Sequence, residues 1–168
     1  VHAHRAGAPK SVGCAVITVS DTRTLADDTG GALLCALLEG AGHRVAAREL
    51  VKDEVAAIGA ALDAALARRD CAAVLLTGGT GVAPRDVTPE AVAPRLERGL
   101  PGFGELFRSL SFAEIGSAAL VSRALAGIAR GKPVFALPGS RAAIRLALER
   151  LILPELGHLV AEAGKAQG

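Results

Sequence analysis

Val74-Leu75-Leu76-Thr77-Gly78-Gly79-Thr80-Gly81-Val82-Ala83-Pro84-Arg85-Asp86-Val87-Thr88-Pro89-Glu90 runs from an apolar stretch into a glycine-rich turn and then into the start of a helix. The apolar stretch has the length and composition of a buried strand. Thr88 is placed to cap the helix, Pro89 suits its first position, and Glu90 complements its dipole. Three glycines let backbone N–H groups approach a ligand, and an arginine and an aspartate follow side by side. That is the make-up of a phosphate site, with donors for oxygens and a carboxylate for a metal or a proton. No Gly-Lys-Ser/Thr follows, so this is not a P-loop. The third glycine of a dinucleotide fingerprint is missing as well.

Upstream, the same grammar repeats. Val12 to Val19 is a near-continuous apolar run ending at Ser20-Asp21. From Thr29 to Ala41, Leu33, Leu34, Leu37 and Leu38 recur at helical spacing, and Gly40 and Gly42 can end that helix. His43 to Val51 reads as a second strand. Val55, Ile58, Leu62 and Leu66 share one helical face before the third strand, Ala72 to Leu76. Strands separated by helices of this length predict a parallel sheet.

Downstream the pattern changes. Phe103, Leu106, Phe107 and Leu110 mark an amphipathic helix entered through Leu100-Pro101-Gly102. Leu125 to Ala129 and Val134 to Leu137, joined at Gly131-Lys132, predict an antiparallel hairpin. A last helical region carries Ile144, Leu148, Leu151 and Ile152, is interrupted at Pro154, and resumes with Leu156, Leu159 and Val160. The expectation is a three-layer α/β/α domain with a mostly parallel, mixed sheet over residues 11–163, between tails at 1–10 and 164–168.

Composition limits the function. A chain of 168 residues can bury about two thirds of its unfolded surface in one domain. Hydrophobic residues make up 51% but aromatics only 2%, so the core is packed from small aliphatic side chains. A net charge of +2 with mixed signs gives no basic stripe, and there is little on which to stack a base, so polymeric nucleic acid is not an expected partner. The longest uncharged stretch, Cys71 to Pro84, is too short and glycine-rich to span a bilayer, and the first ten residues hold no apolar signal core. No membrane association and a cytoplasmic location are expected. Cys14, Cys35 and Cys71 lie far apart in apolar segments and read as buried reduced thiols. His2 and His4 read as part of a polar tail rather than a metal clip.

Open α/β sheets bind ligands at the carboxyl ends of their strands. Four segments fall there: Ser20-Asp21-Thr22-Arg23, Asp53-Glu54, Thr77 to Asp86, and Pro138-Gly139-Ser140. Each has a plainer reading as a turn or a helix cap, and their convergence argues for a site. Asp21, Asp53 and Asp86 together would make it strongly acidic. Unit charges about 4 Å apart repel by about 4 kcal/mol at an effective dielectric of about 20, so such a cluster calls for a cation. Arg85 is open to two roles, neutralising a ligand or pairing structurally with Asp86.

These motifs resemble the MoaB/MogA family of molybdenum cofactor biosynthesis over roughly residues 10–160. The loop of 77–90 carries most of the likeness. In order around it stand Val19-Ser20-Asp21-Thr22-Arg23, Asp28-Thr29-Gly30, Asp53-Glu54, Phe107-Arg108, Glu114-Ile115-Gly116, Ser122-Arg123-Ala124 and Leu137-Pro138-Gly139-Ser140. Asp-Thr-Arg after the first strand is closer to the MoaB branch. The resemblance implies a molybdopterin-binding fold assembling as a homotrimer or a homohexamer. It also implies adenylylation of molybdopterin by ATP with Mg²⁺, releasing pyrophosphate, and hand-over to a molybdate-inserting MoeA-type protein. A paralogue that only binds molybdopterin or its precursor, as carrier or scaffold, is the alternative. By motif position Asp53 and Asp86 match the family's functional aspartates, as catalytic and Mg²⁺-holding groups. Ser20, Asp21, Thr77, Gly78, Gly79, Thr80, Gly81, Arg85, Pro138, Gly139 and Ser140 match substrate-binding positions. Many relatives continue Pro-Gly-Ser with Pro-Lys, whereas Arg141-Ala142 stands here.

Overall fold

Strand β1 (Gly13–Val19) is buried along its whole length and forms the spine of the molecule. The computed structural model describes residues 7–165; the outer parts of both expected tails, with His2 and His4, lie outside the described residues. After β1 come α1 (Thr29–Gly40), β2 (Arg44–Val51), α2 (Val55–Ala67), β3 (Ala73–Thr77) and the short α3 (Thr88–Val92). A two-residue strand, β4 (Arg98–Gly99), leads into α4 (Pro101–Ile115), and β5 (Leu125–Ala129) and β6 (Lys132–Leu137) follow. The chain then runs through α5 (Arg141–Ala147) and a π turn (Leu148–Ile152) into α6 (Leu153–Ala163).

The sheet order is β2-β1-β3-β6-β5-β4. Strands β2, β1, β3 and β6 are parallel neighbours, and β5 is antiparallel to both β6 and β4. From β1 the chain steps to one side for β2 and to the other for β3. The direction therefore reverses between β1 and β3, where open α/β sheets place their ligands.

Alternation along the strands divides the core in two. Cys14 and Val16 of β1, Leu75 of β3 and Phe135 of β6 pack with Leu34, Leu38, Phe107, Ile144 and Leu156 of α1, α4, α5 and α6. Ile17, Leu76 and Ala136 face the other way, onto Ile58 and Leu62 of α2 and Val92 of α3. This is the expected three-layer α/β architecture with a mixed sheet. The scarce aromatics are concentrated: Phe103 stacks on Phe107 at 6.0 Å and meets Phe135 edge-on at 5.5 Å.

Three local expectations need correction. Pro154 does not interrupt the last helix. The π turn before it widens the backbone, so the missing proline N–H and the bulk of its ring are absorbed at the first turn of α6. The hairpin turns at Arg130-Gly131, both with positive φ, so Lys132 already belongs to β6. Val87, rather than Thr88, holds the cap position of α3.

Candidate functional site

The four polar segments foreseen at strand ends lie along one rim, because the parallel strands they follow are adjacent. Gly78 stands at its centre. Its amide donates to the Leu137 carbonyl at 2.9 Å, its φ is +100°, and a Cβ there would lie 2.3 Å from the Val19 carbonyl oxygen. Only glycine fits between β1 and β6 in that conformation. The Thr88 hydroxyl is not free to cap a helix because it donates to the Gly78 carbonyl at 2.7 Å, while its amide donates to Gly79 at 3.0 Å. Thr77 is spent similarly, its hydroxyl donating to Pro138 at 2.9 Å.

The loop is thus anchored at both ends. Between the anchors, the amides of Gly79, Thr80 and Gly81 have no acceptor among the described residues. A run of uncommitted N–H groups at a strand-to-helix turn is a ready cradle for anionic oxygens.

Both expected carboxylates border this loop. An Asp53 oxygen lies 3.0 Å from where a Gly79 Cβ would stand, and an Asp86 oxygen 2.7 Å from the same point at Gly81. Asp86 Oδ2 accepts from the Ala83 amide at 2.9 Å. Burial raises the Asp53 carboxyl above its ordinary value, and the negative charges of Asp21 and Asp86 add to that, against the opposing pull of the Asp21 amide and Arg85. Asp53 thus feels the charges of both Asp21 and Asp86. Among the described residues no group of three or more His, Cys, Asp or Glu side chains could hold a metal ion.

Arg85 is not the partner of Asp86. Its Nη2 and Nε lie 2.8 and 2.9 Å from Asp21 Oδ2, and Asp21 Oδ1 accepts from the Asp53 amide at 3.1 Å. The guanidinium holds the Asp21 carboxyl below its ordinary value. Ser20 follows β1 and accepts from the Thr22 and Arg23 amides at 3.2 and 3.1 Å. The turn reading of that segment is therefore right, and it coexists with a place on the rim.

Two clefts flank the loop. One, of about 150 Å³, is lined by Ser20, Arg23, Asp28, Gly78 and Gly139 among others. Asp28 caps α1 through the Gly31 amide at 2.9 Å and also takes the Thr18 hydroxyl at 2.7 Å and Arg48 at 3.2 Å, so its charge is already compensated. The second cleft, of about 190 Å³, lies between the loop and α4, with Thr80, Ser111, Ser122, Pro138 and Ser140 in its wall. Ser140 caps α5 through the Ala143 amide at 3.2 Å, and the Pro138-Gly139-Ser140 segment reaches the rim as expected.

Sequence reasoning missed Ser122, Ser111 and Arg123 as members of the site. The Ser122 hydroxyl oxygen is buried with no hydrogen-bond partner, and Arg123 contacts the glycine loop directly. Ser122 and Arg123 stood in a recognised motif, but nothing in residue type or spacing ties position 122 to position 80. The cysteines play no part in the site: Cys14 and Cys71 are buried, Cys35 is partly so, and burial pushes the Cys14 thiol up to about 12. Among the described residues no helix is long and apolar enough to cross a membrane.

Residues 15–158 match the family model described as a probable molybdopterin binding domain. The chain is 52% identical over 163 residues to molybdenum cofactor biosynthesis protein B of Halalkalibacterium halodurans, covering 96% of each. A crystal structure of a molybdenum cofactor biosynthesis protein B superposes with a TM-score of 0.90 at 50% identity, over 93% of this chain and 98% of that one. The tungsten cofactor synthesizing protein MoaB from Pyrococcus furiosus does so at 0.84 and 37%, over 94% and 100%.

Proposed function

The chain belongs to the molybdopterin-binding domain family, in its MoaB branch, and from that membership we propose that it serves molybdenum cofactor biosynthesis by adenylylating molybdopterin with ATP. The observation that carries this reading is the run of uncommitted amides at Gly79, Thr80 and Gly81, flanked by Asp53 and Asp86.

In the reaction, an oxygen of the terminal phosphate of molybdopterin bonds to the α-phosphorus of ATP. The bond from that phosphorus to its β-bridging oxygen breaks, and pyrophosphate leaves with the electron pair. A phosphate monoester is already an anionic nucleophile, so the site has mainly to align and to neutralise. The loop amides hold phosphate oxygens. Arg85 exchanges Asp21 for a phosphate as the ligand enters, and Ser20 and Asp21 line the same crevice. The second cleft takes the pterin end, where Ser122 would gain its missing partner beside Ser140.

Mg²⁺ would be matched to the carboxylates that border the loop, Asp53 and Asp86. Asp53 is held toward its neutral form by burial and by Asp21 and Asp86, a strain that a divalent cation relieves. Mg²⁺ takes one or two carboxylates with substrate phosphates as its other ligands, so a cation arriving with the nucleotide needs no third protein ligand. Asp53 and Asp86 would hold it, and when bound it neutralises charge on the departing pyrophosphate.

Trimeric or hexameric assembly, a cytoplasmic setting and delivery of the product to a molybdate-inserting MoeA-type protein go with the same reading. Phe112, Ile115 and Leu120, exposed along α4 and the turn after it, offer an apolar surface for another copy.

Incubation of the purified protein with molybdopterin, ATP and Mg²⁺ tests the proposal. Adenylyl-molybdopterin above the no-enzyme control, lost when Mg²⁺ is chelated, is the expected result. Bound molybdopterin without product would instead make the chain a carrier.

A further inference from the structure

Arg123 lies just before β5, far along the chain from the glycine loop, yet most of its polar contacts fall there. Its amide donates to the Thr80 carbonyl at 2.8 Å. Nε donates to the Gly81 carbonyl at 2.7 Å and Nη2 to the Asp86 carbonyl at 2.7 Å. Nη1 bonds the Glu90 carboxylate in the first turn of α3. One planar cation thus joins the middle of the loop, its end and the helix that follows.

Without Arg123, little would hold the middle of the loop between its two anchored ends. Gly78 and Thr88 anchor its ends, Asp86 and Ala83 bond each other twice, and beyond these the middle of the loop is tied only by the exposed Arg85–Asp21 pair among the described residues. We propose that Arg123 is the positioning residue of the candidate site. By occupying the Gly81 and Asp86 carbonyls it keeps the loop in the form that leaves the amides of Gly79, Thr80 and Gly81 uncommitted and Asp86 beside them. The kinetic part of this inference rests on the adenylylation reading; the structural part does not. Lysine cannot replace Arg123, because a single ammonium head cannot present a rigid fork to acceptors on both sides.

Hydrogen exchange on the full chain, with melting curves and adenylylation kinetics, tests this in Arg123→Lys, Arg123→Met and Glu90→Gln. The amides to follow are those of Ala83, Asp86 and Thr88, which are bonded within the loop. In Arg123→Lys their exchange should accelerate about 10-fold while β1 and β3 keep wild-type protection. The kcat should fall about 10²-fold with little change in the KM for MgATP. Glu90→Gln should move both in the same direction by less. Loop exchange and turnover both at wild-type values in Arg123→Lys would overturn the proposal. So would acceleration spread equally over β1 and β3, which marks a merely structural residue. If Arg123→Met does not fold, the lysine variant decides. If the wild type makes no adenylyl product, the adenylylation reading falls and the exchange pattern alone decides the positioning role.

Discussion

Arg85 reaches across the rim to Asp21, with two nitrogens within 3 Å of Oδ2, and leaves its chain neighbour Asp86 to the Ala83 amide. The basic residue and the acidic residue of the loop are thereby separated. Asp86 is left without an ion pair to Arg85 and is held by the Ala83 amide instead. The Asp21 carboxylate stands where an incoming phosphate would compete with it for the guanidinium.

Asp86→Asn should lower turnover by at least about 10²-fold, the usual cost of losing a group that stabilises transition-state charge. Asparagine can still accept from Ala83, so the loop and the assembly should persist. Steady-state kinetics with light scattering checks both; full turnover in a well-folded variant would remove Asp86 from the mechanism.

Asp53→Asn should gain stability as it loses activity. Because the folded pKa of Asp53 is raised, its protonated form is favoured in the native state. That contribution is full below the ordinary carboxyl value of 3.8 and is lost as pH rises through the folded pKa. The variant, neutral throughout, should therefore melt higher than wild type at pH 7 and equal to it at pH 3. A lower melting temperature at pH 7 would contradict the assignment.

Gly78→Ala should cost on the order of 1–3 kcal/mol from the positive φ alone, before the collision with the Val19 carbonyl is relieved. Chemical denaturation would measure it. A variant as stable as wild type would mean that β1 and β6 can part at their ends.

Ser122→Ala removes a buried hydroxyl that has no partner. The ligand-free protein should be unchanged or more stable, since an unsatisfied polar group costs about 1–3 kcal/mol to bury. Molybdopterin should bind about 10-fold more weakly, the equivalent of one hydrogen bond. Calorimetry and melting curves give the two signs separately.

Leu120, 85% exposed, lies on the apolar surface proposed above to meet another copy. Leu120→Glu should shift the protein toward monomer in sedimentation velocity. An unchanged assembly would place the contact elsewhere.

The legible parts of the fold were those written in local periodicity. Val12–Val19 and Val74–Leu76 read as buried strands because both of their faces are covered, and the leucines of α1 recur on one side. β4, with two residues, has no period to detect. Convergence of Ser20, Asp53, Gly78 and Pro138 followed from parallel topology alone. What the chain could not disclose was which of several equivalent partners each polar group takes. The Thr88 hydroxyl can cap a helix or bond a carbonyl, and only the path of Gly78 decides. Arg85 had a carboxylate next door and took a distant one. Arg123 and Ser122 join the loop because β5 runs antiparallel to β6, so that its beginning meets the end of its neighbour.

That antiparallel pairing also sets a timetable for synthesis. A nascent chain that has emerged as far as α3 already contains Asp53, the glycine loop and Asp86. It lacks the Leu137 carbonyl that receives the Gly78 amide and the guanidinium of Arg123. In vectorial folding the parts of the candidate site are therefore made early and left unassembled. The loop can take the shape seen in the folded chain only after the hairpin of β5 and β6 has left the ribosome.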